Sequence, residues 1–398
     1  MLFLARIAYA FTWYDIGAVL PLLGTRFGAS PDTLGLVLGA FLAGAGLFQV
    51  PAGFAALRWG NKRSGVFGLS LMGVAGLASA LSPDLLVLGA TRFAAGVGAA
   101  FFFAPGLSII AAYYPQGQRG PVIGWYNGAF NIGAASGLVV GAFVGVLLGW
   151  AWALGMGGAA ILAGAAAVAR WIPADRLSPY RVGFAALWRE GRTVLRSRPV
   201  WAIAVGLIGF WAVVNVVGLY FVEFAEQVRP GWGLGLAAAV VAGSVLISGI
   251  GGPFGGWLAE RSRDRRRLIA GFAVLTAGIA ATIPLLPLAA LVPLLLLLGT
   301  CDGVVFAVQY LMPTYFPESS GSRSALAIGL INSVQVLVGS GLTVLFGVVA
   351  ARDGWSAAWY LSAALGVLLL PLLVLIPSGH DRSQGGSGDL DGARATPL

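Results

Sequence analysis

The chain has 398 residues, of which 58% are hydrophobic and only 10% are charged, and its formal net charge is +9. So few charges cannot cover a soluble globule of this size, which excludes a soluble domain and indicates a polytopic membrane protein. The single Cys301 excludes an intramolecular disulfide. The first residues, up to Asp15 and Pro21, contain no A-x-A pattern at which a signal peptide would be cleaved. We therefore expect the first hydrophobic segment to be retained as a transmembrane span.

Twelve hydrophobic segments follow one another along the chain, separated by charged, Pro-rich or Gly-rich stretches. Each has the roughly 20 mostly apolar residues that a helix needs to cross a bilayer. Their approximate bounds are 3–24, 33–57, 64–82, 85–113, 121–145, 151–172, 199–225, 234–259, 268–287, 290–316, 325–349 and 355–376. The pattern predicts an all-α membrane protein with twelve transmembrane helices, which we number as spans 1 to 12.

The spans form two groups of six around a longer, basic connection. We expect an N-terminal six-helix bundle at residues 1–172, a cytoplasmic linker at 173–198, a C-terminal six-helix bundle at 199–377 and a disordered cytoplasmic tail at 378–398. In the linker, apolar residues are interspersed with arginines, which is typical of a short amphipathic helix in contact with anionic membrane lipids. The tail is rich in Gly, Ser and charge, which is typical of disorder.

Arginine and lysine are distributed unequally between alternate connections. The connections after even-numbered spans and the tail carry nineteen of them, whereas the opposite connections carry only Arg26, Arg229 and Arg352. Because basic loops stay on the cytoplasmic side, we expect a protein of the inner membrane with both termini in the cytoplasm. The positive net charge then reflects topology, and no nucleic-acid partner is expected.

Two of the basic connections resemble each other. GFAALRWGNKR begins at Gly53 after span 2, and GWLAERSRDRR begins at Gly256 after span 8, an offset of 203 residues. The same span number in each half indicates an internal 6+6 duplication. Here the chain resembles the major facilitator superfamily, whose loop signature is Gly, three residues, Asp, Arg, any residue, Gly and then two basic residues. The resemblance covers about residues 3 to 376.

The two loops match this signature in part. The corresponding positions are Gly53, Arg58, Gly60, Lys62 and Arg63 in the first copy and Gly256, Glu260 and Arg261 in the second. Leu57 stands where the family has Asp. A second family pattern, Arg followed after four and six residues by Gly, begins at Arg92 on span 4. The Gly-Pro that marks proton-coupled drug antiporters on span 5 is replaced by Gly137 and Leu138.

Four ionisable residues stand out within the spans: Asp15 on span 1, Arg92 on span 4, Glu223 on span 7 and Asp302 on span 10. The separations are 77 residues from Asp15 to Arg92 and 79 from Glu223 to Asp302, so the pair repeats between the halves. A charge at membrane depth costs about 2.5 to 3.5 kcal/mol and therefore faces a partner or a water-filled cavity. The resemblance implies that these four spans line a central cavity for substrate and protons.

More than one role is open for these charged residues. Asp15 and Arg92 either form a static salt bridge within one half or take part in transport, in which case Arg92 can bind a carboxylate or phosphate. Glu223 lies close to Arg229 and sits either in the cavity or in the outer headgroup water. Asp302 has no basic partner within the spans of its half. Burial of a lone carboxylate favours its neutral form, so we predict that Asp302 binds and releases a proton.

Aromatic and polar residues lie at helical spacing around these charges and are candidates for the lining of a small-molecule pocket. They are Phe11, Thr12, Phe103, Trp211, Asn215, Phe306 and Gln309. Spans 5 and 8 are rich in glycine, which lets helix backbones approach closely. The resemblance implies that these two spans meet at the interface between the halves, although static packing within one half is the alternative.

Absent motifs exclude other classes. The chain has no GK[ST] phosphate loop, and its lone His380 excludes a His-based zinc or bis-histidine haem site, so we expect no metal, no cofactor and no enzyme activity. We predict a monomeric secondary transporter that moves a small organic solute by alternating access and couples this movement to protons. A facilitative uniporter and a non-transporting membrane sensor remain alternatives.

Overall fold

The computed structural model describes residues 1–29, 31–173, 184–228 and 234–377. Part of the predicted linker, the connection at 229–233 and the predicted disordered tail at 378–398 lie outside the described residues. Within the described ranges every regular element is helical, and there is no strand. This confirms the predicted all-α fold class.

Fourteen α-helices make up the described part of the chain. They are α1 (Leu2–Phe27), α2 (Pro31–Trp59), α3 (Asn61–Ala80), α4 (Leu85–Tyr113), α5 (Arg119–Leu148), α6 (Trp150–Trp171), α7 (Phe184–Leu195), α8 (Arg198–Gly206), α9 (Ile208–Val228), α10 (Leu234–Arg261), α11 (Arg265–Thr282), α12 (Leu288–Leu311), α13 (Ser324–Asp353) and α14 (Trp355–Leu368). Short 3₁₀ helices follow α12 at Met312–Thr314, precede α13 at Gly321–Arg323 and follow α14 at Leu370–Leu375.

The predicted spans correspond to these helices in order. Spans 1 to 6 are α1 to α6, and α7 is the helix expected in the linker. Span 7 is broken at Leu207 into α8 and α9, spans 8 to 11 are α10 to α13, and span 12 is α14 with the 3₁₀ helix that follows it. Just after the break, the α-carbon of Gly209 packs so closely on the Leu365 carbonyl that a side chain would overlap it.

Nine helices in the described part are long and apolar enough to cross a membrane. Among the helices that correspond to predicted spans, α1, α3 and α11 are not in this group. Each of them carries charge within its length: α3 and α11 begin with basic residues, and α1 contains Arg6, Asp15 and Arg26. These charges lower the mean hydropathy without shortening the helix.

The helices pack in two groups. In the first, α1 packs against α5 and α6, and α4 packs against α2 and α3. In the second, α12 packs against α10 and α11, and α9 packs against α13 and α14. The groups meet along two crossings, α5 with α10 and α2 with α13. These crossings are equivalent under the 6+6 duplication, since span 5 meets span 8 and span 2 meets span 11.

Glycine brings α5 and α10 together. Side chains on Gly120 or Gly124 would overlap the backbone at Gly256 or Gly252, so only glycine fits at this separation. The predicted meeting of spans 5 and 8 is thereby confirmed. Further along α5, Gly133 instead packs on the α1 backbone. The two halves are therefore in close contact toward the start of α5 and the end of α10.

This closed side is the one that carries the basic connections, and we call it the basic face. At the second crossing, Gly53 of α2 packs on Leu326 of α13, and the Ser324 hydroxyl donates to the Ser108 hydroxyl of α4 at 2.8 Å. The linker helix α7 lies over this crossing, with the Trp188 ring stacked on Phe54 at 5.8 Å between centroids. Both crossings thus close the basic face.

Candidate functional site

A chain of hydrogen bonds crosses between the two halves at Asp302. The Asn127 amide of α5 donates to the Ser248 hydroxyl of α10 at 3.3 Å, and this hydroxyl donates to the Asp302 carboxylate of α12 at 2.8 Å. Asp302 is half-buried and borders a small cavity of about 40 Å³ between α9, α10 and α12. Among the described residues, no cationic group lies within ion-pair distance of it. The lone carboxylate therefore accepts from one neutral donor, the Ser248 hydroxyl.

One helix turn and two helix turns beyond Asp302, α12 presents aromatic and amide groups to the other helices. Tyr310 packs edge-on against Phe306 and, across the interface, against Phe103 of α4, with centroids 4.9 and 5.3 Å apart. Its hydroxyl donates to Asn332 of α13 at 3.0 Å. A second polar contact links α12 and α13, since the Gln335 amide donates to the Gln309 side-chain oxygen at 3.0 Å. Phe103 and Phe306 thus meet at Tyr310, whereas Gln309 pairs with α13.

Asp15 and Arg92 contact each other inside the first half. Arg92 Nη1 lies 3.4 Å from Asp15 Oδ1, and neither side chain is exposed. Arg92 Nη2 also donates to the Thr12 carbonyl oxygen at 2.8 Å. On the far side of the pair is Gly157 of α6, where a side chain would overlap the second carboxylate oxygen. The pair therefore faces α6 rather than Asp302.

This ion pair is incompletely satisfied. Asp15 Oδ2, Arg92 Nε and the Thr12 hydroxyl have no hydrogen-bond partner in the described part of the chain. Phe41 of α2 covers the guanidinium, with its ring centroid 5.2 Å from the Arg92 Cζ atom. A buried pair with unused donors and acceptors is sensitive to any movement of the helices that carry it.

Phe11 lies beside the ion pair, since its ring, like Asp15 and Thr12, borders Gly157, and its backbone packs on Gly137 of α5. The other cavity candidates lie elsewhere. Trp211 of α9 packs its ring against Gly339 of α13, and its carbonyl oxygen accepts a hydrogen bond of 2.9 Å from Asn215. Glu223 is located on α9, but its side chain lies outside the described part.

The first loop copy closes the α2–α13 crossing without an acidic residue. Gly53 is in contact with α13, and Gly60 joins α2 to α3 with a φ of 89°, a conformation that favours glycine. Arg58 and Arg63 are exposed, and Lys62 is half-buried. Leu57, at the position of the family Asp, is fully buried and can only make apolar contacts.

The second loop copy carries a polar link between the halves. Glu260 Oε1 accepts a hydrogen bond of 3.1 Å from the Gly120 N–H at the start of α5, where the helix dipole favours negative charge. The Tyr315 hydroxyl donates to the same carboxylate at 2.8 Å, and Arg265 lies 3.8 Å from it. Arg261 instead covers the exposed Trp257 ring.

Sequence reasoning missed Arg6, a deeply buried basic residue of α1. It was not counted among the intramembrane charges because it lies near the start of span 1. In the structure only 2% of it is exposed, and it is surrounded by aromatic rings. The relevant signal was the number of aromatic residues on spans 1, 4 and 5, which gives no pairing information by itself. Ser248 and Asn127 were also missed, since small polar residues carry no distinctive pattern.

These features define a class of protein: a polytopic helical membrane protein made of two related halves with polar groups buried between them. A family model described as Major Facilitator Superfamily matches residues 2–343. The chain therefore belongs to the major facilitator superfamily, and its fold is that of transporters of small organic solutes, with multiple spans in a membrane.

Comparison with individual proteins gives more distant similarities. The chain is 34% identical over 170 residues to a gentisate transporter of Corynebacterium glutamicum, covering 42% of this chain and 36% of that protein. It is 31% identical over 143 residues to the 4-hydroxybenzoate transporter PcaK of Pseudomonas aeruginosa, covering 36% of this chain and 32% of that one. The matched region thus spans about a third of the length of each relative.

The fold resembles solved transporters over nearly the whole chain. A structure of the proton:xylose symporter XylE bound to 6-bromo-6-deoxy-D-glucose superimposes with a TM-score of 0.77, covering 94% of both chains at 14% sequence identity. At this identity the likeness concerns the fold alone.

Proposed function

We propose that the protein is a monomeric secondary transporter that moves a small organic solute across the cytoplasmic membrane and that protonation of Asp302 drives the cycle. The basic face is the cytoplasmic side in this proposal, because basic connections remain in the cytoplasm. Its two closed crossings then correspond to a state that is shut toward the cytoplasm. Alternating access requires that the same crossings separate and that the opposite side closes.

The hydrogen-bond chain from Asn127 through Ser248 to Asp302 carries the proposal. A charged carboxylate accepts a stronger hydrogen bond than a neutral one, so ionised Asp302 orients the Ser248 hydroxyl as a donor. The hydroxyl oxygen is then free to accept from Asn127 in the other half. A proton on Asp302 removes the charge and lets the carboxyl group donate instead, which weakens the preference for this arrangement. Protonation thereby changes the contact between the halves.

Relatives support transport of an organic solute. The two curated relatives are named as transporters of gentisate and 4-hydroxybenzoate, and the fold is shared with a proton:xylose symporter. None of these names fixes the substrate of this chain. They do favour a solute carrier over a membrane sensor, and the symporter favours coupling to protons.

The test is transport by Asp302→Asn in proteoliposomes loaded with a pH-sensitive dye. Asn keeps the size and hydrogen-bonding capacity of the side chain but cannot ionise. We expect the variant to exchange solute across the membrane while losing accumulation driven by a pH gradient. Asp353→Asn is the matched control, since Asp353 is exposed at the end of α13 and should behave as the unchanged protein does.

The outcome separates the alternatives. Uphill accumulation by Asp302→Asn with an unchanged pH dependence would show that this carboxylate is structural. Solute equilibration without proton movement in the unchanged protein would identify a facilitative uniporter. Binding without flux would identify a sensor.

A further inference from the structure

Arg6 is a buried cation without a carboxylate partner in the described part of the chain. It lies in the second turn of α1, and 2% of the residue is exposed. No acidic side chain of the described ranges lies within ion-pair distance of it. Its Nε and Nη1 atoms have no hydrogen-bond partner there either. Such a charge is costly in a low-dielectric interior unless something compensates it.

Aromatic rings surround the guanidinium. The Arg6 Cζ atom lies 4.5 Å from the ring centroid of Tyr9, 4.6 Å from Phe130, 4.7 Å from Tyr126 and 5.0 Å from Phe103. Cation–π contacts compensate part of the cost. They do not satisfy N–H donors in the plane of the guanidinium, and the Tyr126 hydroxyl also has no hydrogen-bond partner in the described part of the chain. The cluster therefore keeps unused donors beside flat apolar surfaces.

The cluster lies at the interface between the halves. Its member Phe103 packs edge-on against Tyr310 of α12, which lies two helix turns beyond Asp302. The cluster on one half thus contacts the helix that carries Asp302 on the other. This is where alternating access would expose a bound solute to each side in turn.

We propose that Arg6 binds the carboxylate of a small aromatic monoanion and that the surrounding rings pack against the body of this substrate. The guanidinium fork matches the two oxygens of a carboxylate. A single unpaired cation suits a monoanion better than a doubly charged phosphate. The rings offer flat apolar contacts on which an aromatic body can stack. In the state described here the rings cover Arg6, so a substrate enters by displacing one of them.

This inference rests on the proposed transport function and names its substrate class. A first test needs no variant: thermal unfolding of the detergent-purified full chain is followed with benzoate and with benzamide, which has the same shape and no charge. We expect benzoate to raise the midpoint in a saturable manner and benzamide to have at least a tenfold weaker effect. Equal effects of the two compounds, or no effect of benzoate up to tens of millimolar, would overturn the proposal.

The second test assigns the effect to Arg6. Arg6→Gln removes the charge, Arg6→Lys keeps it without the fork, and Arg170→Gln repeats the first substitution at an exposed position on α6. We expect benzoate affinity to fall about 10- to 100-fold in Arg6→Gln, less in Arg6→Lys and not at all in Arg170→Gln, as expected for a hydrogen-bonded charge. Undiminished benzoate binding by folded Arg6→Gln would refute the assignment. If Arg6→Gln does not fold, undiminished binding by Arg6→Lys would refute it.

Failure here is distinguishable from failure of the proposed function. Transport of other solutes with proton movement, combined with no discrimination between benzoate and benzamide, would refute the anion site and leave proton-coupled transport intact. Discrimination between the two compounds without any flux would support the site and refute transport.

Discussion

Glu260 is expected to hold the basic face closed, and its replacement should open that face. Of its three contacts, those with Tyr315 and Arg265 lie within the second half, whereas the bond to the Gly120 N–H joins the halves. A hydrogen bond to a charged group contributes about 1.5 to 3 kcal/mol, and a carboxylate at a helix N-terminus contributes about 0.3 to 1 kcal/mol. The partly exposed Arg265 adds little.

We therefore expect Glu260→Ala to shift the equilibrium between closed and open basic face by about 2 kcal/mol, or roughly 30-fold, toward the open state. Glu260→Gln retains an acceptor oxygen for Gly120 but loses the charge, so its shift should be about two- to fivefold. The population of the open state should therefore be largest in Glu260→Ala, smaller in Glu260→Gln and smallest in the unchanged protein.

The measurement uses spin labels at Gln116→Cys and Arg263→Cys, which are exposed positions near the start of α5 and the end of α10. Pulsed electron resonance gives the populations of short and long distances in lipid nanodiscs. Native Cys301 is buried, which limits labelling at that site. Arg261→Gln is the matched control, because Arg261 is exposed in the same helix turn and covers Trp257. A distance distribution in Glu260→Ala no different from this control would refute the reasoning.

Two further predictions concern the ion pair and the topology. Removing either Asp15 or Arg92 leaves a buried charge unpaired and should lower the free energy of unfolding by about 3 to 5 kcal/mol. If the pair acts in transport, the double substitution Asp15→Arg with Arg92→Asp should restore the unfolding midpoint but not the flux. Equal recovery of both would identify a static salt bridge. Arg263→Cys should react with an impermeant thiol reagent only from the cytoplasmic side. Leu81→Cys, in the exposed connection after α3, should react only from outside, and reaction of both from one side would contradict the proposed orientation.

The sequence was sufficient to predict the transmembrane helices and the contact between the two glycine-rich helices α5 and α10. Hydropathy set the spans because the bilayer requires a minimum apolar length, and the glycines of α5 and α10 sit where their backbones touch. It did not reveal the break at Leu207 or the close approach of Gly209 to the Leu365 carbonyl of α14. Local propensity contains no information about such a contact.

The sites were less accessible from sequence than the fold. The 77-residue separation could place Asp15 and Arg92 together but could not decide which way the pair faces, and the structure directs it toward Gly157 of α6. The position of Arg6 near the start of its span does not indicate burial. Its burial comes from rings on α4 and α5, which are brought over it by helix packing. Long-range packing of this kind determines whether a charge near a helix end is buried.

The positions of Arg6 and Asp302 suggest how an anion and a proton could be coupled. Arg6 contacts Phe103, and Phe103 packs against Tyr310 on the same helix as Asp302, so a carboxylate bound at Arg6 would place its negative charge on the side of the first half that faces this helix. Repulsion between two carboxylates favours protonation of one of them, and by linkage a proton on Asp302 favours anion binding to the same extent. This sign requires that solute and proton move together rather than in exchange. In the dye-loaded proteoliposomes, benzoate entry should therefore acidify the lumen faster in the unchanged protein than in Asp302→Asn, and alkalinisation on entry would refute this coupling.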